Sequence, residues 1–303
     1  IVRLVGSEMC IRDRYMGSLG GLYPDGMLLR DGKKHKKTRR ASQPAFKTDA
    51  LRTYVDMLNP IQSRRIDELK PDEEFIFYDN IQQTLMDVAA KVFIGLDETS
   101  AEAKMLHKIF ENINKGLITP VPYDLPFSTF RKALKSRESL RNFLVTKIPE
   151  RRGTELEDMF SRYCNAKDED ENYLEDVDID GHIAFLLFAA FDTTTSALTN
   201  ILYYLGKNPE WQEKVRDEIN NVSSDIPSYD DMAEMKLTEY VFQETLRFYP
   251  SVMILNRRTT RDVEVGGYEI PANTVVMISP PFTHRMEEWW TNCLLYTSDA
   301  ADD

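Results

Sequence analysis

A run of five polar residues interrupts the most apolar stretch of the chain. Residues 183–191 are all apolar, and they are followed by Asp192, Thr193, Thr194, Thr195 and Ser196 before apolar residues resume at Ala197. A helix over this stretch is predicted to be surrounded by protein, and a buried polar group without a partner costs roughly 1 to 3 kcal/mol. An acid beside an alcohol in a dry pocket can relay protons to a bound group. The alternative is that the hydroxyls bond to carbonyls four residues earlier and only bend the helix.

A second polar pair lies on the apolar face of another predicted helix. Glu244 shares this face with Leu237, Val241 and Phe248, and Arg247 follows three residues later. Residues three apart are neighbours on a helix surface, so we expect an ion pair that is shielded from water. The alternative is an exposed pair that contributes a few tenths of a kcal/mol. In either case we expect a structural role and no catalytic step.

A basic segment provides a third candidate site. His35 and Arg39 are four residues apart and share one face of a predicted helix, so they could together hold a carboxylate or a phosphate. The neighbouring basic residues are Arg30, Lys33, Lys34, Lys36, Lys37 and Arg40. The spacing alone favours a solvated basic helix, and nucleic-acid binding is a third option. The net charge of −12 and the lack of interleaved aromatic residues argue against nucleic acid.

The composition restricts the class of protein. With 303 residues, 42% of them hydrophobic and 11% aromatic, the chain can build a substantial core, which excludes collagen, low-complexity disorder and a disulfide scaffold. The longest apolar run has half the roughly 18 residues that a membrane span needs, so no span is expected. Cys10, Cys164 and Cys293 lack metal-type spacing and predict a reducing compartment.

The elements that must position these residues are mostly helical, because apolar residues recur at intervals of three and four. A helix is predicted to restart at Pro209, and a hairpin is predicted to turn at Gly266 and Gly267. Three prolines indicate a loop or break within 116–128. The acidic residues of 168–180 predict a solvated loop that leads into the central helix.

Four motifs, taken in order, resemble the cytochrome P450 family of heme-thiolate monooxygenases. Ala189–Thr194 is similar to its central-helix motif A-G-x-D/E-T-T, and Glu244–Arg247 matches its E-x-x-R. His35–Arg39 resembles its W-x-x-x-R, with histidine in the tryptophan position. Residues 257–276 and 284–290 resemble its strand pair and its H-R-x-x-x-x-W stretch. Each motif is weak alone, but their order and separations are specific.

The resemblance implies a mainly α, cytochrome P450-like helical domain with a small β-sheet, incomplete at both ends. It implies that Asp192 and Thr193 supply protons for the activation of dioxygen and that Ala190 lies over the heme. Alanine here replaces the usual glycine of the motif, which adds a methyl group beside the oxygen site. Glu244 and Arg247 are implied to lock the fold near the proximal side of the heme.

The resemblance also implies a cofactor, heme b (iron protoporphyrin IX). His35, Arg39 and one of Arg257 or Arg258 would bond its propionates, and Arg257 fits the family's spacing better. The histidine at position 35 keeps a hydrogen-bond donor but loses the stacking surface of tryptophan.

The two ends of the chain differ from its middle. Residues 1–14 and 293–303 resemble translated sequencing-adapter sequence, so we expect a partial cytochrome P450 domain over 15–292. The cysteine that ligates iron in the family follows the last motif at some distance, and neither Cys164 nor Cys293 stands in that position. We therefore expect an internal fragment that lacks the axial cysteine, has no metal ligand of its own and is inactive as given.

These observations predict a heme-dependent monooxygenase that inserts one atom of dioxygen into an apolar substrate. Electrons would come from a separate partner, a reductase or a ferredoxin. Residues 115–137 and 249–255 resemble family regions that line the substrate pocket, and their apolar content indicates a lipid, retinoid or sterol-like substrate. The location would be cytoplasmic, or the cytosolic face of a membrane if an anchor precedes the chain. The alternatives are a non-catalytic helical module that binds an apolar ligand and, less favoured, a nucleic-acid-binding protein that uses the basic helix 30–40.

Overall fold

A computed structural model describes residues 9–10, 19–30, 32–70, 72–168, 171–222, 226–286 and 288–289. Apart from Met9 and Cys10, both adapter-like segments lie outside the described residues. Trp290, which completes the last motif, lies outside them too. The division of the chain into a family segment and two foreign ends stays a prediction.

Helices make up most of the described chain, as the three- and four-residue periodicity predicts. In chain order they are α1 (Gly32–Ser42), α2 (Thr48–Asp67), α3 (Phe77–Val88), α4 (Ala101–Leu117), α5 (Thr129–Arg151), α6 (Met159–Asn165), α7 (Asp176–Lys207), α8 (Pro209–Val222), α9 (Lys236–Phe248) and α10 (Pro280–Thr283). A π-helical turn, Ala89–Phe93, follows α3 directly. The restart at Pro209 is confirmed, whereas α4 continues to Leu117, two residues into the predicted loop.

Short strands form two small sheets. Strands β1 (Met9–Cys10), β2 (Leu255–Thr259) and β5 (Val275–Ile278) lie in the order β1-β2-β5, and β3 (Val263–Val265) pairs with β4 (Tyr268–Ile270). Val265 faces Tyr268 across the turn, where Gly266 and Gly267 have positive φ angles of 59° and 83°. These angles suit glycine because it lacks a Cβ atom. The predicted hairpin and the mainly α fold with small antiparallel sheets are confirmed.

The chain divides into two compact units. Unit 1 comprises residues 1–50, 86–189 and 256–277, and unit 2 comprises residues 51–85, 190–255 and 278–303. Helix α7 contributes its residues up to 189 to unit 1 and the remainder to unit 2. The acid and alcohol therefore belong to unit 2, and the basic helix belongs to unit 1.

In unit 1, buried ion pairs hold the first turns of α7. Asp178 bonds Arg30 at 2.6 Å, and Asp180 bonds Arg137 of α5 at 2.9 and 2.7 Å. Gly181 allows the loop before α1 to pack closely, because a Cβ atom there would lie 2.8 Å from the carbonyl oxygen of Asp25. The prediction of a solvated acidic loop is wrong for these aspartates, since they are helical and face buried arginines.

Helix α7 is also, within the described residues, long and apolar enough to span a membrane by length and composition. Of the apolar window concerned, 17% is buried. One such helix is weak evidence, because the core helices of soluble proteins meet the same criteria. The absence of a membrane span stays a prediction.

Candidate active site

The acid and the alcohol lie on one turn in the middle of α7. The side chain of Asp192 is exposed, and those of Ala190 and Thr193 are half-buried. The prediction that this polar cluster lies in the core is thus wrong for Asp192. A helix that is apolar on all sides is buried only where other elements pack on every side, and the described elements leave Asp192 in contact with solvent.

The Asp192 carboxylate has no hydrogen-bond or ion-pair partner among the described residues. Desolvation by its neighbours raises the pKa of the carboxyl group above its usual value, although the side chain remains accessible. The group therefore keeps a proton at a higher pH than an ordinary aspartate does. An accessible carboxyl with a raised pKa is suited to proton transfer.

The hydroxyl-rich turns of α7 contain both local and long-range hydrogen bonds. Thr195 donates its hydroxyl to the carbonyl of Phe191 at 2.9 Å, so the back-bonding interpretation holds for this buried residue. The carbonyl of Thr193 instead accepts a bond from the hydroxyl of Ser251 at 2.8 Å. No local pattern predicts a role for Ser251, because this contact joins residues 58 positions apart.

Glu244 and Arg247 form a two-pronged ion pair on α9. The Nε and Nη2 atoms of Arg247 each donate to one oxygen of Glu244 at 2.7 Å. The remaining nitrogen, Nη1, donates to the carbonyl of His284 at 2.9 Å. The arginine side chain is 11% exposed and the glutamate side chain 32% exposed, so water reaches mainly the carboxylate. The pair fixes α9 to the segment after α10, all within unit 2.

The basic segment of unit 1 has two different parts. Arg30 is buried and donates to Thr38, to Asp178 and to the carbonyl of Asp25, so it belongs to the core. His35 is half-buried and Arg39 is exposed, and neither has a partner within the described part of the chain. These two side chains are available to an anionic ligand.

Strand β2 contributes two further cations to unit 1. Arg258 donates to the carbonyl and to the side-chain oxygen of Asn273, at 3.0 and 2.8 Å. Arg257 donates only to the carbonyl of Asn256 among the described residues, at 2.8 Å. Both arginines have a buried Nε without a partner in the described chain. Buried guanidinium donors that lack a partner fit carboxylates such as the propionates of a heme.

The described residues do not supply an obvious iron ligand. No cluster of three or more His, Cys, Asp or Glu side chains is present in the described ranges. Cys164 is buried in α6, and desolvation raises the pKa of its thiol to about 12. A thiol rather than a thiolate is a poor metal ligand. Cys293 lies outside the described residues.

Comparison with known proteins assigns the family. The cytochrome P450 family profile matches residues 20–298. The chain is 31% identical to the cytochrome P450 136 of Mycobacterium tuberculosis over 92% of this chain and 57% of that protein. It is 30% identical to the taxoid 14-beta-hydroxylase of Taxus cuspidata over 86% of this chain and 53% of that enzyme. The chain thus spans about half the length of the curated relatives it matches.

The fold agrees with a solved structure of the same kind. The retinoic acid-bound cyanobacterial CYP120A1 superposes with a TM-score of 0.87 and 25% sequence identity, over 96% of this chain and 68% of that one. With the family profile over most of its length and a superposable fold, the chain belongs to the cytochrome P450 family.

Proposed function

We propose that this chain carries the oxygen-activating part of a heme-dependent monooxygenase. The reaction inserts one atom of dioxygen into an apolar substrate, while two electrons and two protons reduce the other atom to water. The observation that carries the proposal is the Asp192 carboxyl, which has a raised pKa and lies directly before Thr193. Relatives that are named hydroxylases, such as the taxoid 14-beta-hydroxylase, support the same reaction class.

The residues of α7 deliver the protons. In this proposal the Asp192 carboxyl, whose side chain is open to solvent, takes up protons, and the Thr193 hydroxyl on the same turn delivers them to the oxygen site. Ala190 lies two residues earlier, and its methyl group would take space beside the oxygen site. When bound, heme b would supply the redox chemistry that activates dioxygen.

The cations of unit 1 would hold the heme. His35, Arg39 and Arg257 each offer a donor that lacks a partner among the described residues, and propionate oxygens would satisfy these donors. Arg257 is a better candidate than Arg258, because Nη1 of Arg258 already donates both to the carbonyl and to the side-chain oxygen of Asn273.

The proposed substrate is apolar, of lipid, retinoid or sterol-like character. The retinoic acid in the superposable structure and the taxoid in the name of a relative support this class. Val252, Met253 and Ile254, which follow α9, are exposed apolar side chains that could contact such a molecule. The electrons would come from a separate reductase or ferredoxin, in the cytoplasm or at the cytosolic face of a membrane.

The proposal predicts that heme-thiolate ligation depends on a cysteine beyond the three in this sequence. The test is to add hemin to the 303-residue chain, reduce it and add carbon monoxide. We expect no strongly red-shifted Soret band from this chain, because the Cys164 thiol stays protonated, with a pKa of about 12. A protein that continues past residue 292 through a family cysteine loop should give that band.

Two results would contradict the proposal. A red-shifted band from the 303-residue chain would mean that one of its own cysteines reaches the iron. Failure of the longer protein to retain heme would contradict the proposed heme contacts of His35, Arg39 and Arg257, and with them the proposed function.

A further inference from the structure

The bond between Ser251 and Thr193 connects two regions that the proposed function treats separately. Ser251 lies three residues after the end of α9, the helix that carries the Glu244–Arg247 pair. Its Oγ donates to the carbonyl oxygen of Thr193 at 2.8 Å, and the bond is partly buried. Both residues belong to unit 2. The backbone carbonyl of Thr193, whose hydroxyl is the proposed proton donor, is therefore held by a residue outside α7.

Such a bond changes the local backbone of a helix. In a regular α-helix the carbonyl of Thr193 accepts only the N–H of Ala197, four residues on. A second donor from outside the helix restrains the tilt of that carbonyl relative to the helix axis. The donor therefore fixes the orientation of the peptide group that follows Thr193. With it, the donor restrains the direction of the Cα–Cβ bond of Thr193.

The donor is itself held in place. The N–H of Tyr249 bonds to the carbonyl of Thr245 at 2.8 Å, which closes the end of α9. Arg285 donates to the carbonyl of Phe248 at 2.7 Å. The chain just before Ser251 thus has two anchors within unit 2, so the Ser251 hydroxyl approaches α7 from a fixed position.

We propose that Ser251 is a positioning residue for proton delivery. By holding the Thr193 carbonyl, Ser251 fixes the turn of α7 that carries the Asp192 carboxyl and the Thr193 hydroxyl. Ser251 takes no proton itself and contacts neither substrate nor cofactor in this role. The inference rests on the proposed monooxygenase function, because it assigns a role relative to the Asp192–Thr193 relay.

The test compares Ser251→Ala with Ser251→Thr, which keeps the hydroxyl, in the complete heme-loaded enzyme. The first readout is the product formed per reducing equivalent. We expect Ser251→Ala to lower this ratio by about fivefold or more, because a small misplacement of a catalytic group has a large effect on rate. The reducing equivalents that are not used for product should form hydrogen peroxide. Ser251→Thr should restore the ratio. Ser139→Ala, which removes an exposed hydroxyl from α5, is the matched control.

The second readout reports the hydrogen bond without activity. Threonine labelled with ¹³C at the carbonyl and ¹⁵N at the amide selects Thr–Thr peptide bonds, of which the sequence has three, at 193–194, 194–195 and 259–260. In Ser251→Ala the ¹³C resonance of the Thr193 carbonyl should move upfield, as expected for a lost hydrogen bond, and the Thr259 carbonyl should stay. Ser251→Cys, which has a weaker donor, should move the Thr193 resonance less and serves if the alanine variant does not fold.

The outcomes separate this inference from the proposed function. An unmoved Thr193 resonance, or normal coupling in Ser251→Ala while Thr193→Ala is uncoupled, would overturn the positioning role alone. A wild-type enzyme that forms no oxygenated product would overturn the proposed function, and the resonance would then report only a structural bond.

Discussion

The carboxylates in the first turns of α7 are paired with arginines, whereas the carboxylate in its middle is not paired within the described residues. In unit 1, Asp178 and Asp180 are paired with the buried arginines Arg30 and Arg137. In unit 2, Asp192 has no partner within the described residues, and desolvation raises the pKa of its carboxyl. The paired carboxylates are held by charged bonds to arginine, whereas an accessible acid with a raised pKa can exchange a proton with solvent. We therefore propose that one helix has a structural end and a middle that takes part in the chemistry.

Asp180→Ala should have the largest effect on stability. Removing this carboxylate leaves the Arg137 guanidinium buried without its two charged bonds, which should lower the free energy of unfolding by about 3 to 5 kcal/mol. Chemical denaturation of the wild type and the variant measures the difference. Glu111→Ala, which removes an exposed carboxylate paired with Lys108 and Lys115, should cost less than about 1 kcal/mol. Equal losses in both variants would contradict a structural role for the first turns.

Arg247→Ala should have an intermediate effect. The variant leaves Glu244 unpaired and removes the bond to the His284 carbonyl, but the carboxylate is 32% exposed, so water offsets part of the loss. We expect the free energy of unfolding to fall by about 2 to 3 kcal/mol. Lys236→Ala on the same helix, which removes an exposed pair with Glu239, is the control for denaturant titration. A loss no larger than that of the control would mean that the Glu244–Arg247 pair is not structural.

His182→Leu should stabilise the structural end of α7. His182 is buried, and neither ring nitrogen has a hydrogen-bond partner in the described chain. Desolvation, helped by the charge of Arg30, lowers the pKa of the imidazole from 6.5 to about 3. Removing the two unsatisfied nitrogens should raise the free energy of unfolding at pH 7 by about 1 to 2 kcal/mol.

The pH dependence follows from the sign of this shift. Between pH 6.5 and about 3 the unfolded chain binds a proton at His182 that the folded chain does not. Stability therefore falls as the pH is lowered through this window, by at most about 1.4 kcal/mol per pH unit from this group. His182→Leu should flatten the profile in the same window. If the free energy of unfolding depended on pH in the same way below pH 6.5 in the variant and the wild type, the assigned burial of a neutral imidazole would be contradicted.

Local patterns in the sequence predicted several of these features correctly. The restart at Pro209 and the hairpin at Gly266 and Gly267 could be predicted because proline and glycine determine which backbone torsion angles are available at their own positions. The Glu244–Arg247 pair could be predicted because its members are one helical turn apart. Interactions of this kind need only the helical or strand period.

Contacts between distant segments could not be predicted. Arg30 and Asp178 are 148 residues apart, and Thr193 and Ser251 are 58 apart, so only tertiary packing brings them together. For the same reason the apolar pattern around Asp192 led to the wrong prediction that this side chain is buried. A pattern records which faces are apolar, but it does not record which elements cover them.

The central claim is that Asp192 and Thr193 deliver protons during oxygen activation, and Thr193→Ala tests it most directly. The measurement is the product formed per reducing equivalent in the complete enzyme, with heme content and substrate affinity determined alongside. We expect heme and substrate binding to be unchanged and the ratio to fall roughly tenfold, equivalent to about 1.4 kcal/mol of transition-state stabilisation, with electrons diverted to peroxide. Thr199→Val, which removes a hydroxyl bonded to the Thr195 carbonyl in the same helix, should keep the wild-type ratio. Unchanged coupling in Thr193→Ala would contradict the relay.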